Sequence, residues 1–292
     1  MLMDMLTDPT PLLTGKVHRA IEPLHSMAYF APETEQKLTL TGLRPGRMCY
    51  LAARSAPMGR VTAPVTTATF FNFNPTLVAD NIPAAWGLAD PDSVVIARLS
   101  AVDLALRRLF GELAVDCPEV VEAARLTSIA ARDLDPAGRP LFAAHAGLAW
   151  PDQPHLVLWH AVTLLREFRG DGHLAVLLAA GLSGIDAIIT HTATGRGFTE
   201  AAAKRLRGWS DNQWSEAVEG LCSAGVLGPE GLTERGVALR AQIESDTDRL
   251  AAMPWLRLGE QDTTRLAELG AFLSTRIRLN GAFPDGIFAA GR

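Results

Sequence analysis

Apolar residues recur at three- and four-residue spacing through almost the whole chain, the period of a helix with one buried face. Runs that alternate as a half-buried strand does are nearly absent. The pattern predicts helices over 12–30, 32–42, 46–56, 62–68, 75–86, 92–113, 117–132, 154–168, 172–182, 184–194, 199–207, 211–224, 234–252 and 260–279. Residues 133–154, rich in Pro, Gly and Asp, read as a linker. The aperiodic tail from Asn280 reads as a mobile segment or one that docks on a neighbour.

The pattern also repeats. A shift of 139 residues lays the segment from Leu38 over that from Leu177, with Gly42-Leu43 on Gly181-Leu182. Farther on, Phe70 falls on Trp209, Ile82 on Leu221 and Ala85 on Ala224. Upstream, with about two residues of slippage, HRAIEPLHSMAYFAPE lies over WHAVTLLREFRGDGH. Duplicated halves usually pack about a pseudo-two-fold axis, and sites form where they meet.

The words AVEGLCSAGVLGPEGLTERGVALRAQIE close the second half. Val226-Leu227 and Leu232-Thr233 can pair as a short hairpin around GPEG, and Thr233 can cap the next helix. With Leu221, Gly225, Val226, Leu227, Leu232, Thr233, Gly236 and Leu239 in place, residues 172–255 resemble a winged-helix domain of the MarR type. Through HRAIEPLH, YFAPE, FFNF, GRPLFAA, LLREFRGDGH and GWSDNQW, nearly the whole chain resembles an actinobacterial helix-turn-helix family. These resemblances imply an all-α fold with minor β wings: two tandem winged-helix-like repeats (12–90 and 154–256), a helical insert and linker between them (91–153), and a C-terminal helix and tail (257–292).

A winged helix reads DNA with its penultimate helix, using basic groups on phosphates. Here that helix, DNQWSEAVEGLCSA, carries Asp211, Glu216 and Glu219 and no Lys or Arg. Carboxylates there repel phosphates where a binding protein gains from counterion release. Lys204, Arg205 and Arg207 on the preceding helix read as a solvated face. The formal charge of −5 agrees. Three scattered cysteines exclude a disulfide framework, and with no apparent leader or membrane span the chain reads as cytoplasmic.

Two polar clusters exceed what a fold needs. The opening helix carries His18, Arg19, Glu22, His25, Tyr29 and Glu33. Glu22 and His25 have the i, i+3 spacing of a metal pair, although Pro23 should break the helix. The second cluster is Arg166, Glu167, Arg169, Asp171 and His173; in it Asp171 can cap the following helix and Arg169–Glu167 can be a surface pair. Pseudo-symmetric packing would bring the clusters into one pocket walled by Tyr50, Phe70, Phe71, Phe73 and Trp86, with Arg54 and Asn72 beside it. The expected function is binding of a small organic ligand. His25 and His173 would serve as acid/base groups, with Tyr29, Glu33 and Asp171 acting beside them and Arg166 and Arg169 gripping an anionic group. A bound iron or haem is a variant. A ligand-responsive DNA-binding regulator acting as a homodimer and a scaffold without chemistry are the alternatives.

Overall fold

Among the described residues, proline stands in the first turn of at least eight α-helices, where its missing N–H costs nothing and its fixed φ suits the helix. This is how a proline-rich chain stays helical. The computed structural model describes residues 10–111 and 113–289. In order the elements are α1 (Thr10–Ser26), α2 (Pro32–Thr39), α3 (Arg47–Ser55), α4 (Ala63–Phe70), α5 (Pro75–Ala79), α6 (Ala85–Leu88), α7 (Pro91–Phe110), α8 (Pro118–Ala131), α9 (Pro140–Ala146) and α10 (Pro154–Ala179). Then follow α11 (Gly184–Thr192), α12 (Glu200–Arg207), α13 (Asp211–Ser223), β1 (Leu227–Gly228), β2 (Gly231–Leu232), α14 (Glu234–Leu250), α15 (Met253–Leu258) and α16 (Glu260–Leu279). The molecule is mostly helical, with one small antiparallel hairpin in which Leu227 pairs with Leu232.

Several expected boundaries move. The helices expected at 154–168 and 172–182 are one helix, α10, running straight through Gly170-Asp171-Gly172. Neither glycine breaks the helix, and Gly172 makes room: a Cβ there would meet Arg139 Nη1 at 2.8 Å. Likewise α1 continues past Pro23 to Ser26, because the lost hydrogen bond falls in its last turn. The expected linker holds α9. The tail docks on its own chain: Thr199 N–H donates to Ile287 (3.0 Å), and the Phe288 ring stacks on Phe198 and meets Phe30 edge-on.

Three apolar cores result. The largest joins α1, α7, α8, α10, α15 and α16, so the segment expected as an insert lies in the centre. A second gathers Leu38, Met48, Leu51, Phe70, Phe73, Val78 and Ile82. The third gathers the end of α10, α11–α14 and the hairpin around Trp214 and Ile243. There Thr233 caps α14, its Oγ1 accepting from Gly236 N–H at 3.1 Å.

The second and third cores meet at two matching turns. α3 and α11 each have nine residues and α4 and α12 each eight, offset by 137. A threonine precedes both eight-residue helices, and a positive-φ residue, Phe71 or Gly208, ends both. Across the junction Asn74 N–H donates to Arg207 O (2.9 Å), Trp209 Nε1 to Asn72 O (3.0 Å), and Asn74 Nδ2 to Gln213 Oε1 (3.0 Å). The fit is tight at Gly184, where an added Cβ would lie 2.0 Å from Phe71 O. Gly184→Ala is therefore expected to cost about 3 kcal/mol by prising the turns apart, read as a lower midpoint in urea unfolding.

Candidate functional site

The chain has only two tyrosines, and both stand beside this junction. Tyr29, in the short 3-10 turn Met27–Tyr29 that follows α1, and Tyr50, in α3, face each other with ring centroids 5.1 Å apart. Tyr29 OH lies 2.6 Å from His25 Nε2, and His25 Nδ1 lies 2.9 Å from Thr163 Oγ1 on α10. The Thr163 hydroxyl donates to Trp159 O at 2.8 Å. Its oxygen must then accept from His25 Nδ1–H, which leaves Nε2 unprotonated to accept from the Tyr29 hydroxyl. The chain of hydrogen bonds therefore has one direction, from phenol to imidazole to hydroxyl to carbonyl. Burial, together with Arg166, holds His25 well below the ordinary histidine range, so the imidazole is neutral.

Arginines surround the phenols. Arg54 Nη1 donates to Tyr50 OH (3.4 Å), and its guanidinium lies over Phe70 at 4.4 Å. Arg166 lies over the Tyr29 ring at 5.7 Å, Arg47 over Tyr50 at 5.5 Å, and Arg207 over Phe73 at 4.4 Å. Glu167 is the buried carboxylate among them, 3 % exposed at its side chain. It accepts from Arg166 Nη1 (2.8 Å) and Arg54 Nη2 (3.4 Å). Burial opposes ionisation of Glu167, but Arg166 and Arg54 outweigh it and hold the carboxyl far below its usual range. Tyr50 behaves alike: burial raises its pKa, but Arg54, Arg207 and Arg166 pull it below the ordinary phenol range. Burial dominates at Tyr29 and pushes it up to about 12. With Tyr29 pushed up and His25 held down, the proton rests on the phenol, and the neutral imidazole orients the Tyr29 hydroxyl by accepting its hydrogen bond.

Of the residues expected to share a pocket, His25, Tyr29, Arg54, Arg166, Tyr50, Phe70 and Phe73 do come together. Asn72 stands beside them, its Oδ1 accepting from Arg207 Nε (3.1 Å). Others are placed elsewhere. Glu33 pairs with Arg108 at 2.5 Å. Arg169 pairs with Asp248 (2.7 Å) and Glu244 (3.2 Å) on α14, and His173 Nδ1 is 2.8 Å from Thr247 Oγ1. Ten residues of α10, roughly 15 Å of axis, separate Thr163 from His173, so the two histidines do not share a pocket. Asp171 caps α9 instead of a following helix, its Oδ2 accepting from Phe142 N–H (2.9 Å). Phe71 packs on the third core, and Trp86 lies inside the second.

Packed rings fill the space expected as an open cavity: Tyr50 and Phe73 have centroids 5.6 Å apart. Partial exposure survives at the edges of Tyr29, Tyr50, Arg47, Arg54, Arg166 and Arg207, which form a rim between α1, α3, α10 and α12. A surface recess of about 770 Å³, lined by Glu122, Glu260, Gln261, Thr264, Arg265 and Glu268, shares no residue with it.

The metal pairing of Glu22 with His25 is also corrected. Both His25 ring nitrogens have hydrogen-bond partners, and Glu22 Oε2 accepts from Ser26 Oγ at 3.0 Å. Among the described residues, no group of three or more His, Cys, Asp and Glu is arranged to hold a metal ion.

Thr163 escaped the sequence reading, whereas Glu167 reads from sequence as half of a surface pair and Arg207 as part of a solvated face. Arg207 does not belong to a solvated face: it follows buried Ala203 by one helical turn and so shares its inward side. That i, i+4 relation was the available signal. Lys204, in contrast, is paired with Glu200 (3.0 Å) and Asp211 (2.7 Å).

Compared with known proteins, residues 14–284 match the model of a family described as a helix-turn-helix family. No curated protein and no solved structure matches the chain. Among the described residues, no single helix is long and apolar enough to cross a membrane.

Proposed function

The chain belongs to this helix-turn-helix family, and from that premise we propose that it is a winged-helix duplication repurposed to bind a small organic molecule between its halves. The 137-residue offset of α3–α4 onto α11–α12 supports the duplication. At this offset Asn72 and Trp209 are each other's counterparts, so their hydrogen bond lies where a pseudo-two-fold axis would pass. Upstream of α3 the longer linker 40–46, against 180–183, fits the 139 read from sequence for Gly42-Leu43, whereas at the 137 offset Phe70 falls on Arg207 and not on Trp209.

The observation that carries the functional reading is the directed chain from Tyr29 through His25 to Thr163, ending at a partly exposed phenol beside two guanidiniums. Satisfying buried polar groups already gives such a chain a direction; what suits acid–base chemistry is that it ends at a partly exposed phenol flanked by cations. Tyr29 is the group that would donate to the ligand, His25 the neutral acid/base partner that orients its hydroxyl, and Thr163 the residue that sets the imidazole tautomer. Arg54 and Arg166 hold charge at the reacting end.

Family membership favours a second reading, DNA binding. The exposed face of α13 weighs against it, carrying Asp211, Glu216 and Glu219. Its N-terminal Gln213 is engaged by Asn74, and of the basic residues on α12 Lys204 is neutralised and Arg207 faces inward. A thermal-shift screen of small organic compounds, run beside an electrophoretic shift assay on duplex DNA at low salt, separates the readings. The expected result is stabilising compounds whose effect weakens in Tyr29→Phe, and no retarded DNA. Salt-sensitive DNA retardation with no stabilising compound would reverse the assignment.

A further inference from the structure

Charge is unbalanced around the two phenols. Four guanidiniums, Arg47, Arg54, Arg166 and Arg207, converge there closely enough that Arg207 feels the other three. Glu167 is shared by Arg54 and Arg166, with Glu22 3.9 Å from Arg166. The hydrogen bonds of the other two go to neutral acceptors: Arg47 Nη1 donates to Leu206 O (3.3 Å), and Arg207 Nε to Asn72 Oδ1 (3.1 Å). Arg54 Nε is buried with no hydrogen-bond partner within the described protein. Half-buried cations without a counter-charge are costly and are normally paired. The remaining surface of the rim is aromatic: Tyr29 and Tyr50, with Phe73 and Phe198 beneath the Arg207 guanidinium at 4.4 and 5.2 Å.

We propose that the rim between α1, α3, α10 and α12 takes an organic anion, a carboxylate or phosphate group carried on a flat apolar body. The anionic group meets Arg207 and Arg47, neither of which forms an ion pair with a carboxylate among the described residues although Glu35 acts on Arg47 from a distance, through the forked donors that suit either oxyanion. The flat body lies against the exposed edges of Tyr29 and Tyr50, which brings it to the Tyr29 hydroxyl. This assignment rests on the reading of the junction as a ligand site and names the class of molecule that site accepts. It also accounts for the use of arginine on both sides of the junction: Arg47 and Arg54 come from α3, Arg207 from α12, and Arg166 from the helix spanning the cores.

The test is isothermal titration of the full chain with benzoate and with phenyl phosphate, each against the neutral benzamide and benzyl alcohol. The anions are expected to bind at least about tenfold more tightly than the neutral compounds, with affinity falling as salt is raised. Whichever anion binds better identifies the preferred oxyanion. Arg207→Gln is expected to weaken anion binding about tenfold or more, and Arg207→Lys to restore part of it; matching melting curves show that both variants fold. Equal affinity for anions and neutral compounds would overturn the assignment while leaving the ligand site standing. Unchanged anion affinity in Arg207→Gln would overturn the placement of the anion. Failure of all four compounds to bind would remove both this inference and the ligand reading beneath it.

Discussion

Acidification from neutrality to about pH 5 is expected to unfold the protein in one cooperative step, well before its carboxylates are protonated. His18, His25, His145, His160 and His173 are all held below the ordinary histidine range, in each case chiefly by burial. His145 falls to about 3, and His160 and His173 to about 4. Arginines reinforce the effect: Arg98 donates to His145 Nε2 (3.3 Å), and Arg169 stands near His18 and His173. Between the folded values and the unfolded one of about 6.5, the unfolded chain binds more protons than the folded chain. Stability is therefore complete above about pH 6.5 and is lost as pH falls toward 4. Each histidine contributes up to about 1.4 kcal/mol per pH unit, so five approach roughly 7 kcal/mol per unit. That is comparable to the whole stability of a typical domain, about 5–15 kcal/mol. Asp171, lifted to about 6 by burial, and Asp248, also raised, have the opposite sign and offset part of the slope. Far-ultraviolet circular dichroism across this range checks the expectation; an unchanged spectrum at pH 4 would contradict it.

Glu167→Gln is expected to be the most damaging conservative substitution in the molecule. The amide keeps the shape of the carboxylate but removes the one buried negative charge that, among the described residues, pairs with both Arg54 and Arg166. Breaking a buried pair from one side typically costs about 3–5 kcal/mol, because the remaining charge is left uncompensated. For a chain of this size that corresponds to roughly 10 °C in melting temperature. Arg166 keeps Glu22 within 3.9 Å and a side chain 24 % exposed, so Arg54 bears most of the loss. An added anion at the rim should recover part of it, which thermal melts with and without phenyl phosphate would show. A variant that melts with the parent protein would mean that water already screens this charge.

Local pattern carried much of the fold. Most helices were legible because their apolar period and their capping residues agree, as in Ser210 before α13 and Thr233 before α14. The hairpin was legible from Val226-Leu227 and Leu232-Thr233 around a turn. What depended on long-range packing was not. Gly170 and Gly172 looked like helix breakers, and only the approach of Arg139, just before α9, shows why glycine suits position 172. The repeat drew attention to the right junction and brought His25, Tyr29, Arg54 and Arg166 into view. It could not show that α10 is one rigid rod, and that rod is what carries Arg169 and His173 off to α14. Glu167 looked like half of a surface pair, since nothing in its neighbourhood announces a buried face lined by arginine from α3.

The most direct test of the account uses the two tyrosines as reporters. Protein labelled with carbon-13 at the tyrosine ring gives two phenol-carbon resonances, both from the junction. Adding phenyl phosphate is expected to shift both saturably, and raising the pH to ionise Tyr50 below the ordinary phenol range while Tyr29 resists to about 12. Two resonances that ignore the anion and titrate together at the ordinary value of about 10 would contradict it.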